Sequence, residues 1–173
     1  MKVSCLMTAP LLWAGIATAV VCKPKPPPVC TNLLSAPDFD PPTAWIHSSA
    51  AINPPSDNSW AQVKPCGDYD SCIQITSHSN AILTIQSFTY PYSGAYTASL
   101  KYKVLDPGSG VGTLNFGLDS SDPGAALTTV SDGWQDYTDE YNADAGTHTL
   151  VMAVNTGNTV TVQITDVQIL ACE

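Results

Sequence analysis

The chain has 173 residues, which is the size of one domain once an N-terminal targeting segment is set aside and is enough for a two-layer core. Six lysines and no arginine stand against thirteen aspartates and two glutamates, for a net charge of −9. That balance argues against a phosphate-backbone partner such as nucleic acid and reads as solubility in an extracellular medium.

At the N-terminus Lys2 precedes an apolar run from Leu6 to Val21, a charged region followed by a hydrophobic stretch of signal-peptide length that is too short for a confident membrane span. Lys23-Pro-Lys-Pro-Pro-Pro28 follows at once and cannot continue a helix. The expected organisation is a signal peptide over residues 1–22, a Pro/Lys-rich linker over 23–29 and a single domain over 30–173. No second long apolar run exists and the C-terminus lacks a lipid-anchor signal, so the expectation is a secreted, extracellular, monomeric protein with no membrane partner. There is no Asn-x-Ser/Thr sequon for N-glycosylation.

The cleavage point decides the cysteine parity. A cut after Ala19 satisfies the small-x-small rule and leaves five cysteines, whereas a cut after Cys22 leaves Cys30, Cys66, Cys72 and Cys172. Four cysteines allow three connectivities, and chain geometry favours Cys66 with Cys72 and Cys30 with Cys172, the latter at the outer ends of the first and last strands. Their spacing matches no zinc pattern.

Beyond the proline-rich stretch no window carries a helical period, and short strands alternate with turn formers. In chain order the expected strands are Thr31 to Leu34, Trp45 to His47, Ser59 to Lys64, Cys72 to Thr76, Ala81 to Phe88, Ala95 to Leu105, Gly112 to Leu118, Ala126 to Val130, Trp134 to Tyr141, Thr147 to Asn155 and Thr159 to Leu170. The clearest is Ala95 to Leu105, where Tyr96, Ala98, Leu100, Tyr102 and Val104 alternate with Thr97, Ser99, Lys101 and Lys103. In the last run Val160, Val162 and Ile164 share one parity and Val167 and Ile169 the other, which predicts a bulge near Thr165-Asp166. The fold class is all-β, an antiparallel sandwich of jelly-roll type stapled by disulfides.

Asn32-Leu-Leu followed by Asp38-Phe39-Asp40 and Trp45, then Gly94-Ala-Tyr96-Thr-Ala-Ser-Leu100, Gly133-Trp134 with Tyr137, Gly146-Thr-His-Thr-Leu150 and a closing Ile164-Thr-Asp166-Val167 follow one another in an order and spacing that resemble the CenC-type carbohydrate-binding modules, including single-domain forms secreted by fungi. The resemblance spans roughly residues 31 to 170 and implies a galactose-binding-like jelly roll and a polysaccharide or other glycan as partner. Asp40 stands where the family has Glu, Thr165 where it often has a second Asp, and the loop from Cys66 to Cys72 looks like an addition. The resemblance also implies a structural calcium on Asp40 and Asp166, with no other cofactor required; the alternative is that Asp166 bonds backbone amides at the bulge and Asp40 caps a turn.

A sugar site on a sandwich needs an aromatic face to stack on a pyranose ring and amides or carboxylates to grip the hydroxyls. Trp60 shares strand parity with Gln62 and Lys64, opposite Ala61 and Val63, and so faces away from the core beside an amide. Tyr69, between Asp68 and Asp70 inside the Cys66 to Cys72 loop, and Tyr92, in the aromatic turn Tyr90-Pro91-Tyr92, are the further candidates. Tyr96, Tyr102 and Phe116 share parity with apolar neighbours, and Trp45 and Trp134 open strands as core anchors do, so all five are assigned to the core; His47, His78 and His148 are scattered.

No Gly-x-Ser-x-Gly elbow, His-x-x-x-His pair or recognisable carboxylate dyad is present, and the aspartates of Asp106-Pro107, Asp122-Pro123 and Asp132-Gly133 fall in turns. The sequence therefore points to a non-catalytic carbohydrate-binding protein, with a wall or host-interaction protein as one alternative and a glycosidase or lyase as another.

Overall fold

The structure is a computed structural model that describes residues 28–40, 44–47, 60–78, 82–119 and 124–172, the side chains of residues 46, 47, 60 and 82–85 excepted. The expected signal peptide and most of the linker lie outside these residues.

Eleven strands and no helix make up the described chain: β1 Cys30–Asn32, β2 Ile46–His47, β3 Trp60–Cys66, β4 Tyr69–His78, β5 Ile82–Tyr90, β6 Gly94–Asp106, β7 Gly112–Leu118, β8 Ala125–Leu127, β9 Gln135–Ala143, β10 Gly146–Asn155 and β11 Thr159–Cys172. They form two antiparallel sheets. One runs β3-β4-β11-β6-β9 with β1 added beside the end of β11, and the other runs β2-β5-β10-β7-β8. Each expected strand is present within a few residues of its expected ends.

Period-2 alternation explains why these segments are strands. In β6 the even-numbered residues from Tyr96 to Val104 are buried while Lys101 and Lys103 are not. The inward sets of both sheets, among them Ile73, Ile75, Leu100, Val162 and Ile164 from one and Leu114, Phe116, Leu150, Met152 and Val154 from the other, share a single core. Trp45 anchors one end of that core at 3 % exposure, its indole N–H donating to the carbonyl of Ala36 at 2.7 Å.

The predicted bulge is present. The pairing of β11 with β6 slips between Thr165 and Gln168, and Asp166 takes a positive φ of 50°. Before the slip β11 pairs with β4; after it the same edge pairs with β1. Breaking a ladder leaves backbone groups to be satisfied, and the chain supplies partners. Val167 N–H donates to Pro37 O at 2.8 Å, and the Asn32 carboxamide oxygen accepts from Ile169 N–H at 3.0 Å and Leu34 N–H at 3.2 Å.

Both expected disulfides form, Cys30–Cys172 and Cys66–Cys72, with Cα atoms 4.0 Å and 5.9 Å apart. The first ties β1 to the end of β11, its register partner. Closing so long a loop removes denatured-state entropy equivalent to about 5 kcal/mol in the chain-entropy account. The second cross-links the turn between β3 and β4 and makes that hairpin a stiff projection.

Candidate functional site

The outward face of the six-stranded sheet carries a polar row set by strand register. Gln62 on β3 is opposite Gln74 on β4, Gln74 opposite Gln163 on β11, and Gln163 opposite Lys103 on β6. The Gln163 side-chain amide donates to the Gln74 carboxamide oxygen at 3.1 Å. One rung further on, Thr76 and Thr161 share a hydroxyl hydrogen bond at 3.1 Å. One rung in the other direction lie Lys64, Cys72, Thr165 and Lys101, of which Cys72 and Thr165 are fully covered, and Lys101 pairs with the exposed Asp136 of β9 at 2.5 Å. That bond holds the Lys101 ammonium above its ordinary pKa, but at the surface it adds little to stability.

Over this face stands a wall. The Cys66–Cys72 hairpin projects from one side of the sheet and Asp132-Gly133-Trp134, the lead-in to β9, from the other. The Tyr69 and Trp134 rings meet edge to face with centroids 4.9 Å apart. Beside that contact lies a cavity of about 360 Å³ lined on one side by Lys64, Pro65, Cys66, Gly67 and Asp68, on the other by Lys103, Asp132, Gly133 and Trp134, with Gln163 among its lining residues. Tyr69, Trp134, Lys64, Lys103 and Gln163 are half-buried, whereas Asp68 and Asp132 are exposed at the rim. The arrangement offers an aromatic wall and a row of amide and ammonium donors, the chemistry a sugar requires.

Of the four residues expected at a sugar site, Gln62 and Tyr69 belong to this face. Trp60 pairs with Thr76 at its margin, but its side chain lies outside the described set. Tyr92 is elsewhere: its ring stacks on Tyr96 at 5.8 Å, its hydroxyl donates to Cys172 O at 3.1 Å, and it lines a separate cavity of about 280 Å³ with Val29, Thr31, Leu33, Pro91 and Ala171. Tyr90 does not share an exposed turn with it. Tyr90 is 1 % exposed and continues the inward parity of Gln86 and Phe88, which is the signal in the sequence that would have placed it.

Trp134 corrects the expectation that it anchors the core. It precedes the first residue of β9 and turns outward onto Tyr69. The other four residues assigned to the core, Trp45, Tyr96, Tyr102 and Phe116, are buried. Gln74 and Gln163 carry only a weak signal in the sequence: their parity with Thr76 and Thr161 marks the outer face, but only the β4–β11 pairing brings them together across 89 residues.

Pro37 docks on the bulge, its carbonyl accepting from Val167 N–H next to Asp166. The Asp166 carboxylate accepts from the side-chain amide of Gln168 at 2.6 Å, and the Asp40 N–H is capped by the Asp38 carboxylate at 3.3 Å. Among the described residues no three His, Cys, Asp or Glu side chains converge.

His78 and His148 are both partnered, His78 Nδ1 with the Thr159 hydroxyl at 2.6 Å and His148 Nδ1 with the Asp119 carboxylate at 2.8 Å.

No family model and no curated protein matches this chain. Its fold, however, is found among solved structures. A carbohydrate-binding module, TmCBM61, solved with β-1,4-galactotriose, is 14 % identical, with 83 % of this chain and 99 % of that one covered at a TM-score of 0.53. The CBM22-1 xylan-binding domain of Paenibacillus barcinonensis Xyn10C is 14 % identical over 82 % of this chain and 91 % of that one, at 0.51. The enzymatically active domain of tailspike protein 4 from bacteriophage CBA120 is 12 % identical over 81 % of this chain and 21 % of that one, at 0.52. At such identities the likeness is one of fold. The chain is an all-β, two-sheet jelly roll similar in fold to carbohydrate-binding modules.

Proposed function

We propose that this chain is a secreted, non-catalytic carbohydrate-binding protein that takes a cell-wall polysaccharide on the outer face of its six-stranded sheet. The observation that carries this reading is the cavity between the disulfide-held hairpin and Asp132–Trp134, with the Tyr69–Trp134 wall set against Gln163 and Lys103. Pyranose rings present an apolar face to aromatic side chains and a ring of hydroxyls to amides, and the Trp134 indole and Gln163 amide that line this cavity are groups of those two kinds. Two disulfides and the N-terminal segment of signal-peptide form support secretion.

The test is depletion of the purified protein from solution by insoluble cellulose, xylan, β-glucan, galactan and pectin, with reducing sugar assayed in the same tubes. Depletion without sugar release is the expected result, and Trp134→Ala abolishes it while leaving the melting temperature near that of the parent. Release of reducing sugar would overturn the non-catalytic reading and direct attention to Asp68 and Asp132, the two carboxylates on the cavity rim. No depletion by any glycan would overturn carbohydrate binding itself.

A further inference from the structure

The geometry points to a glycan that carries a carboxylate, a uronic-acid residue, as the preferred occupant of this cavity, with the carboxylate seated between Lys64 and Lys103. The inference rests on the carbohydrate-binding reading and names the class of sugar.

It begins with a distribution. From residue 28 onward the chain has three lysines, no arginine and fifteen acidic side chains. All three lysines project from the same face of the same sheet, Lys101 and Lys103 on two successive outward positions of β6 and Lys64 on β3, with β4 and β11 between them. Lys101 is neutralised by Asp136. Lys64 and Lys103 line the cavity from opposite sides, half-buried, and neither has an ion pair among the described residues. Their stems pack along the sheet while their ammonium donors line the cavity, so an incoming anion meets two cations with no competing ion pair among the described residues.

The rest of the cavity says what kind of anion. Carboxylate–ammonium hydrogen bonds are roughly twice as strong as neutral ones, and a carboxylate has two oxygens to offer two donors. An isolated small anion would leave the Trp134 ring and the Gln163 amide unused, whereas a uronic acid presents a carboxylate, a ring face and hydroxyls together. Asp68 and Asp132 stand exposed on the rim, where they repel a carboxylate and accept from hydroxyls. The site therefore orients its guest, carboxylate down between the lysines and hydroxyls out toward the rim. Polyanion binding by long-range attraction is not what this protein is built for, because the domain as a whole is strongly acidic; charges beyond a Debye length of about 8 Å at physiological salt are largely screened, and within the cavity two lysines and two rim aspartates balance, so position rather than net charge selects the carboxylate.

Titration calorimetry with oligogalacturonate, glucuronoxylan and alginate oligomers, each against its carboxyl-reduced counterpart, tests the proposal. One acid is expected to bind about tenfold tighter than its neutral twin, with the preference shrinking severalfold by about 0.5 M salt. Lys64→Gln and Lys103→Gln each weaken the acid about three- to tenfold and the neutral twin by a smaller factor, so that the preference for the acid shrinks. Equal binding of acid and neutral forms would overturn the uronate assignment and leave the carbohydrate reading standing. An acid preference untouched by either lysine substitution would overturn this site, and tighter binding of a sulfated galactan than of any uronate would overturn the carboxylate. Failure of every glycan overturns both readings, and unchanged melting temperatures show that the variants are folded.

Discussion

Tyr69 and Trp134 touch although their strands are not neighbours: β11 and β6 lie between β4, where Tyr69 begins, and β9, which Trp134 precedes. Strands pack about 4.8 Å apart, so three steps separate the two backbones, and each ring has to reach inward over the sheet for their centroids to come within 4.9 Å. The Cys66–Cys72 bridge makes that reach affordable for Tyr69 by removing the hairpin's freedom in advance.

Alanine at either position should therefore weaken glycan binding, Trp134→Ala more than Tyr69→Ala, since the indole also lines the cavity directly. On stability, a double-mutant cycle should return a coupling of about 0.5–1.5 kcal/mol, the range for edge-to-face pairs. Urea unfolding of the parent, both single variants and the double variant measures it. Additive losses would show that the two rings do not act as one wall.

A second prediction concerns the bulge in β11. Asn32 holds three backbone groups there: its oxygen accepts from Ile169 and Leu34, and its amide donates to Val167 O at 3.4 Å. Asn32→Ala leaves these groups without that partner where β11 changes from β4 to β1, and should cost about 2–3 kcal/mol. Asn32→Asp keeps the acceptor and loses only the donor, so its loss should be smaller. Equal unfolding midpoints for the parent and Asn32→Ala would mean that solvent or the neighbouring chain replaces all three bonds.

Much of this architecture could be read from residue order because it depends on local alternation. Tyr96 through Val104 are buried on the parity that the sequence shows, and the phase change between Ile164 and Val167 marks the bulge. The site was only half legible. Gln62 sits beside Lys64 on one strand and Tyr69 within one loop, and both announce themselves locally. Trp134 follows Asp132-Gly133, and an aromatic at a strand entrance looks the same in sequence whether it turns to the core or away. What decides its direction is the hairpin from a strand three positions away in the sheet. The same holds for Lys64 and Lys103, whose convergence is a product of the β3-β4-β11-β6 order.

The final prediction is a pH dependence located at His148. Nδ1 faces the Asp119 carboxylate at 2.8 Å and Nε2 faces the Asp144 carbonyl at 2.9 Å, so both partners accept and only the doubly protonated ring satisfies both. The hydrogen bond to Asp119, then that to Asp144, raises the His148 pKa above 6.5, against a smaller opposing effect of burial. Asp119, bonded to His148 and to Thr149 N–H, is lowered below 3.8. A raised histidine contributes stability that is complete below its unfolded pKa and is lost as pH climbs through its folded one; a lowered aspartate contributes stability that is complete above its unfolded pKa and is lost as pH falls through its folded one. The joint contribution is therefore greatest between about pH 4 and 6.5. His148 has Asp119, Asp144 and the ring of Tyr90, 4.9 Å away, around it, and Asp119 is largely exposed, so solvent screening keeps the effect modest. Melting temperatures measured from acid to alkaline pH should fall for the parent above about pH 6.5 and fall less for His148→Gln. Asp119→Asn, which retains a residue tolerant of the positive φ of 57° at that position, should flatten the same limb. Parallel curves for all three proteins above neutrality would show that His148 is not the group that titrates there.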